Sequence, residues 1–277
     1  MKLATIRIGD GTRAVRVEGS RYAELDAPDV GGLLAREDWR TAAEAAEADR
    51  PLADVDYAPL VPRPGKILCV GLNYRNHILE MGRELPQYPT LFAKFPEALV
   101  GPYDPVVLPP ESTAVDWEAE LAIVIGRTVR RADAAEAEAA IAGFSVLNDV
   151  TARDWQYRTP QWLQGKTFEA TTPFGPFLVT PDELPGGTSP ALTLTCSVDG
   201  EAMQKADTGD LVFGPVELVR YASTILTLNP GDVIATGTPG GVGHARKPPR
   251  YLTDGSRLVT EIDHLGRLEN TARTELG

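Results

Sequence analysis

The segment Asp116-Trp117-Glu118-Ala119-Glu120-Leu121-Ala122-Ile123-Val124-Ile125-Gly126 decides how the rest of the chain is read. Its second half is a β-branched apolar run closed by glycine, the pattern of a buried strand. Its first half carries carboxylates at 116, 118 and 120. Side chains alternate along a strand, so Glu118 and Glu120 are expected on one face, several ångströms apart, at the mouth of that strand. Two like charges held so close repel and raise each other's pKa unless a cation lies between them. An isolated Glu-x-Glu is more often an exposed strand end. Here it runs straight into core strand, which favours a metal site. A second apolar run, Phe144-Ser145-Val146-Leu147-Asn148-Asp149-Val150, carries Asp149 inside it, where an unpaired carboxylate would be costly. Three carboxylates on neighbouring strands suit a hard, oxygen-seeking cation such as Mg²⁺ or Mn²⁺.

Composition bounds the alternatives. The chain has 277 residues, 43% of them hydrophobic, enough for one large domain or a small one beside a large one. Its 26 Gly and 23 Pro are scattered between strand-like runs as turn residues, which points to a β-rich chain. The net charge of −12, with no clustered Lys/Arg stripe, argues against nucleic acid or an anionic membrane as partner. An acidic small molecule stays possible, because a metal and a few local cations reverse the sign inside a pocket. Cys69 and Cys196 each lie in an apolar run and read as reduced core residues. No signal-peptide apolar region opens the chain and no run is long enough to span a membrane, so the expected location is the cytoplasm.

Residues 2–25 alternate about a Gly9-Asp10-Gly11 turn and are expected to form a hairpin. Residues 28–49 read as two short helices, and the Pro-punctuated stretch to Pro64 as a linker. The expected division is a small N-terminal domain over 1–62 and a main domain over 63–277. Lys66–Leu72 reads as the first strand of the latter and Asn73–Met81 as a helix, which makes His77 and Glu80 neighbours on one face. Gly82–Pro89 is polar with two prolines and is expected to be a mobile loop. Leu91–Phe95 reads as a strand bearing Lys94, Ala132–Ala142 as a helix, and Arg153–Gln164 as an irregular crossover. Beyond Lys166 the chain reads as almost entirely β. The expected class is therefore mixed, β-rich α+β.

Five stretches, in order, resemble the fumarylacetoacetate hydrolase family. They are Gly71-Leu72-Asn73-Tyr74-x-x-His77-x-x-Glu80, Asp116-Trp117-Glu118-x-Glu120-Leu121, Asn148-Asp149-Val150-Thr151-Ala152-Arg153-Asp154-x-Gln156, Gly165-Lys166-Thr167-Phe168, and Pro230-Gly231-Asp232 through Thr236-Gly237-Thr238-Pro239-x-Gly241-Val242-Gly243. One alone is weak evidence; five in order are strong. The resemblance implies a β-roll catalytic domain, a homodimer and one Mg²⁺ or Mn²⁺. It also implies action on 1,3-dicarbonyl acids: C–C hydrolysis of acylpyruvates, decarboxylation of oxaloacetate, or isomerisation of hydroxymuconate derivatives. By similarity Glu118, Glu120 and Asp149 are the metal ligands and His77 and Glu80 a water-activating dyad. Lys166 then faces the metal and holds an oxyanion or carboxylate. Arg153, Gln156 and, less directly, Lys94 are candidates for substrate binding, with a structural pairing of Arg153 to Asp116 or Asp154 as its equal alternative; the Gly237 amide and Thr238 hydroxyl are further candidates, in a loop whose glycines permit close backbone approach.

Many relatives follow this lysine with Lys-Ser-Phe-Asp; here Thr167-Phe168-Glu169-Ala170-Thr171 stands instead, which changes the expected pocket wall. His244 and His264 read as structural. Because the dyad is complete, the reading is a metal-dependent C–C hydrolase acting on a keto acid. Decarboxylation and isomerisation at the same site are its alternatives, and a non-catalytic metal–dicarboxylate binding protein is the alternative of another class.

Overall fold

The strand Ala119–Ile125 is buried at every position, which requires cover on both faces. In the computed structural model, which describes residues 1–275, its side chains alternate between two cores. Leu121, Ile123 and Ile125 enter one, and Ala122 and Val124 the other. The neighbouring strand Ile141–Asn148 pairs antiparallel with it and divides in the same way, with Phe144 and Val146 on one side and Ala142 and Leu147 on the other.

The first core is closed by a five-stranded sheet that contributes Leu194, Cys196, Val198, Leu258, Ile262 and Leu268. The second is closed by the N-terminal segment through Leu3, Val30, Leu33 and Leu34. Around Ala119–Ile125 runs an eleven-stranded mixed sheet. The N-terminal strands belong to it: Lys2–Ile8 pairs antiparallel with Thr172–Val179, so the sheet is continuous across the linker. The expected hairpin is a longer meander. Gly19-Ser20 makes a second tight turn into Arg21–Glu24, and Arg50–Pro51 adds an edge.

One expectation fails. The chain after Lys166 is not almost all β, because Pro215–Ile225 is a helix of 11 residues. Its Val216, Val219, Thr224 and Ile225 are strand-like in propensity. Its buried Leu218, Val219 and Ala222 recur at helical spacing, however, and Pro215 occupies the first helical position, where no backbone donor is lost. The helix packs on the expected helix, observed as Ala134–Ala140.

Strand directions assemble the site. Ala119 faces Asn148 across one antiparallel ladder, and Ala122 faces Ala235 across another. The strand Val233–Ala235 runs parallel to Ile67–Gly71. The start of one strand therefore meets the ends of three others, and 71–77, 118–120, 148–149 and 236–240 emerge together. The central strand depends on its packing. Ile123→Ala, at a position with no exposure, should lower the unfolding free energy by roughly 2–5 kcal/mol, read as an earlier urea midpoint at unchanged slope.

Candidate active site

Glu118 precedes the central strand by one residue, and Glu120 is its second residue. Asp149 lies one residue past the end of Ile141–Asn148 rather than inside that strand. Backbone bonds fix this corner. The Glu118 amide donates to Asn148 Oδ1 at 2.9 Å, and the Asp149 amide donates to the Glu118 carbonyl at 2.8 Å. All three carboxylates are buried, and each offers an oxygen within 4.8 Å of the others.

Three cations from three elements surround them. Lys166 Nζ donates to Glu118 Oε2 at 2.8 Å and to Asp149 Oδ2 at 2.7 Å. Lys94 Nζ donates to Asp149 Oδ1 at 2.7 Å. Arg153 places Nη1 at 2.6 Å from Glu118 Oε1 and Nε at 2.8 Å from Asp116 Oδ2. Burial works against the charge on Lys166, but Asp149 and Glu118 outweigh it and hold the ammonium above its ordinary pKa. Arg153 is likewise opposed by burial and held raised by Glu118 and Asp116. Burial would raise Asp149, yet Lys166 and Lys94 hold it low. Glu120 has no such partner. Burial, then the charges of Asp149 and Glu118, push it well above the usual carboxylate range, and its Oε2 accepts the Gly237 amide at 2.8 Å. A divalent cation would relieve that repulsion, and an all-carboxylate donor set suits Mg²⁺ or Mn²⁺ better than Zn²⁺.

Of this cluster Glu118, Arg153 and Lys166 line a cavity of about 360 Å³, together with His77, Gln156 and Thr238, among others. Phe92 and Trp162, in edge contact at 5.4 Å, supply apolar wall, and the Lys166 ammonium lies 4.9 Å from the Phe92 ring centroid. The lysine is placed by close packing of two four-residue helices, Arg153–Gln156 and Leu163–Lys166. A Cβ at Gly165 would collide with the Gln156 backbone, so only glycine allows this approach.

His77 lies on the helix Arg75–Glu80 and is half-buried, while Glu80 is exposed. Burial holds the imidazole below its usual pKa, against the opposing charges of Glu80 and Glu118. Gly240 packs over the pair: a Cβ there would meet His77 Nδ1 at 3.0 Å and Glu80 Oε2 at 3.7 Å. Among the described residues no hydrogen bond joins the two side chains.

Several candidates stand elsewhere than expected. Lys94, expected at a substrate carboxylate, has no exposed side-chain surface and donates to Asp149 and to the Val150 carbonyl. Its Cα faces Ile67 in the sheet, away from the cavity mouth. The Gly237 amide is spent on Glu120, not on a ligand. Thr238 does line the cavity, but its hydroxyl donates to the Ala119 carbonyl at 2.9 Å and accepts from Gln204 at 2.8 Å. Gln156 Oε1 accepts from Arg153 at 2.9 Å. Among the described residues Arg153 Nη2 is buried without a hydrogen-bond partner.

The alternative pairing of Arg153 is the one observed, with Asp116, and the further roles of Asp116, His244 and Gln204 were not assigned from the sequence. Asp116 accepts the amides of Trp117, Gly243 and His244 as well as Arg153, tying the glycine loop to the guanidinium. Its place beside the Glu-x-Glu was the available signal. His244, read as structural, lines the cavity with Nδ1 2.9 Å from the Tyr251 hydroxyl, and nothing in its Gly/Pro-rich surroundings announced this. Gln204 reaches the site from a strand of the second sheet, Glu201–Asp207.

Residues 66–273 match the model of the fumarylacetoacetate (FAA) hydrolase C-terminal domain. The chain belongs to the fumarylacetoacetate hydrolase family. Members of this family are enzymes acting on small molecules. A mitochondrial oxaloacetate tautomerase of Bos taurus is 47% identical over 222 residues, covering 79% of this chain and 70% of that protein. The corresponding Homo sapiens protein is 46% identical over 222 residues, with the same coverage of 79% and 70%. The solved fumarylacetoacetate hydrolase of Exiguobacterium antarcticum superposes with a TM-score of 0.88 at 32% identity, over 99% of this chain and 100% of that one. The maleylpyruvate hydrolase of Sphingobium sp. SYK-6, solved with manganese and pyruvate, gives 0.82 at 32% identity over 100% of both chains. The fold is that of the family, and the family match begins just beyond the expected N-terminal division.

The ion-pair geometry makes a direct stability prediction. Lys94→Met removes one of the two cations on a fully buried Asp149. It should cost roughly 3–5 kcal/mol, as loss of one partner of a buried pair does, measured by urea unfolding of metal-free protein.

Proposed function

We propose that the protein is a Mg²⁺- or Mn²⁺-dependent enzyme that moves a proton on an enolisable 2-oxo acid, acting as a keto–enol tautomerase of oxaloacetate type. The observation that carries the reading is the placement of His77. It is half-buried, held neutral near pH 7 by burial, and opens into the same cavity as Lys166 and Glu118. A neutral imidazole is the form that takes a proton, and the C–H between two carbonyl groups is acidic enough to give one. Glu80 favours the imidazolium that forms. Lys166 and Arg153 offer positive charge where negative charge gathers on the substrate's oxygens. His77 then returns the proton to the oxygen or the carbon, which completes the exchange of keto and enol forms. Glu118, Glu120 and Asp149 would hold the cation, which when bound supplies a Lewis acid that polarises the substrate's carbonyl group. The two relatives named as oxaloacetate tautomerases support this choice of reaction.

The hydrolase expected from the sequence is the second reading. The same imidazole would take its proton from a water, which then attacks the distal carbonyl of an acylpyruvate. The intact His77–Glu80 pair and the Sphingobium neighbour support it. Decarboxylation and hydroxymuconate-type isomerisation draw on the same groups. The homodimer and the cytoplasmic location expected above belong with this proposal, and size-exclusion chromatography reads the first. Among the described residues no helix is long and apolar enough to cross a membrane.

The deciding experiment is a panel with Mg²⁺ or Mn²⁺: conversion of oxaloacetate enol, cleavage of acylpyruvates and turnover of hydroxymuconate-type dienes, each followed by enol absorbance. Catalysed loss of oxaloacetate enol without pyruvate release supports the tautomerase. Acylpyruvate cleavage with oxaloacetate enol decaying at its uncatalysed rate replaces it with the hydrolase. His77→Ala should lower kcat by roughly two to four orders of magnitude while calorimetry shows Mg²⁺ binding intact. Glu118→Ala should abolish both, and full activity in excess EDTA after dialysis would overturn the metal assignment.

The pH profile has a definite sign. The His77 pKa lies below its ordinary 6.5, so the active neutral form is present at neutral pH and is lost as pH falls through the depressed value. The rate should be level near pH 7.5 and decline only below about 6.5; a limb centred at or above pH 7 would show that another group is the base.

A further inference from the structure

We infer that Arg83 is a specificity-determining residue that receives the second carboxylate of a dicarboxylic substrate; this rests on the 2-oxo-acid reading above. Arg83 lines the cavity but is exposed, at the mouth, whereas Lys166 and Arg153 are buried at the floor. Its backbone is held by the end of the helix Arg75–Glu80. The Gly82 amide donates to the Leu79 carbonyl at 2.9 Å, and the Arg83 amide donates to the Ile78 carbonyl at 3.2 Å. With Gly82 at φ +68°, this is the paired-bond termination that reverses a helix through a left-handed glycine. The residue after that glycine usually carries an apolar side chain onto the helix. Here it carries a guanidinium into the cavity opening, on a backbone fixed by two hydrogen bonds.

Charge sharpens the assignment. Three permanently charged bases line the cavity: Arg83, Arg153 and Lys166. Arg153 and Lys166 are both bonded to Glu118, the carboxylate that lines the cavity with them. Arg83 takes part in no ion pair and no side-chain hydrogen bond among the described residues. Its charge nonetheless reaches the imidazole of His77, so it stands beside the group proposed to act on the substrate. The lining that the three bases share is mixed, with Val70, Leu72 and Phe92 beside His77, Gln156 and Thr238. Cations at the buried and at the exposed side of one cavity complement an acid group at each end of a short carbon chain. A guanidinium is also the side chain best shaped to take a carboxylate through two parallel bonds. A molecule with a methyl group at that end would leave Arg83 unpaired and lose this interaction.

The test uses two five-carbon acids that differ only at the far end: 2-oxoglutarate, with a second carboxylate, and 2-oxopentanoate, with a methyl. Their binding to the full chain in saturating Mg²⁺ is measured by calorimetry for wild type, Arg83→Met and Arg83→Lys. Wild type should prefer 2-oxoglutarate by roughly tenfold or more, the worth of a charge-assisted hydrogen bond in a cavity. Arg83→Met should remove the preference by weakening 2-oxoglutarate alone, and Arg83→Lys should restore part of it. Equal binding of the two acids by wild type, equal weakening of both by Arg83→Met, or a preference that survives the substitution would each overturn the assignment. Because binding needs no turnover, the two readings fail separately. A discriminating Arg83 in a protein without tautomerase activity sinks the reaction alone. Equal binding in an active tautomerase sinks the role of Arg83 alone, and failure to bind either acid overturns both.

Discussion

Four carboxylates, Asp116, Glu118, Glu120 and Asp149, are buried at one corner of the fold with three cations, Lys94, Arg153 and Lys166. Charges removed from water are tolerated only when they compensate one another at short range, so each of these side chains dictates where the others can be. The three cations come from three different elements. Two of those are four-residue helices, too short to persist on their own. Arg153 and Lys166 are what those turns have to offer the core, and their ion pairs hold them against it. With all four carboxylates ionised the cluster is one positive charge short of neutrality, and Glu120, whose pKa burial and then Asp149 and Glu118 raise, is the one left facing the deficit. The feature that is a liability for the metal-free fold is the feature that suits it to a divalent cation.

The loop that follows Val233–Ala235 is fixed to the same corner. Thr236 bonds to Leu121, Gly237 to Glu120 and Thr238 to Ala119, so the loop retraces the start of the central strand one residue at a time. Further on, Asp116 collects Gly243 and His244. Groups that looked available to a ligand, the Gly237 amide and the Thr238 hydroxyl, are thereby committed to positioning. Fewer uncommitted polar groups therefore line the cavity than the sequence suggested.

This division explains how one fold serves several reactions. In the proposed reading the buried acidic cluster would hold a cation beside Lys166, and any substrate with adjacent carboxylate and keto oxygens could use both. His77, on Arg75–Glu80, is placed by a different element, and Arg83, Tyr157 and His244 line the cavity from loops and short turns. Tautomerases and hydrolases among the relatives are consistent with a common floor and variable walls.

The sequence by itself determined the class of the fold and the identity of the acidic cluster. Local pattern is enough for both: a β-branched run closed by glycine is a buried strand, and carboxylates that lead into one need a partner. It also marked Cys69 and Cys196, which are buried and free. It misjudged Pro215–Ile225, where strand-like residues were carried into a helix by the spacing of three buried positions. Only the tertiary structure decided which cation answers which carboxylate. Lys94 and Lys166 lie on elements far apart in the chain, and nothing in a sequence says that both converge on Asp149. Nor does it say that Gly237 turns its amide to Glu120, that His244 looks into the cavity, or that Arg83 is left unpaired at the mouth. Those facts follow from strand direction and helix termination, which bring distant residues within hydrogen-bonding range, and hydrogen-bonding range is where their chemistry is settled.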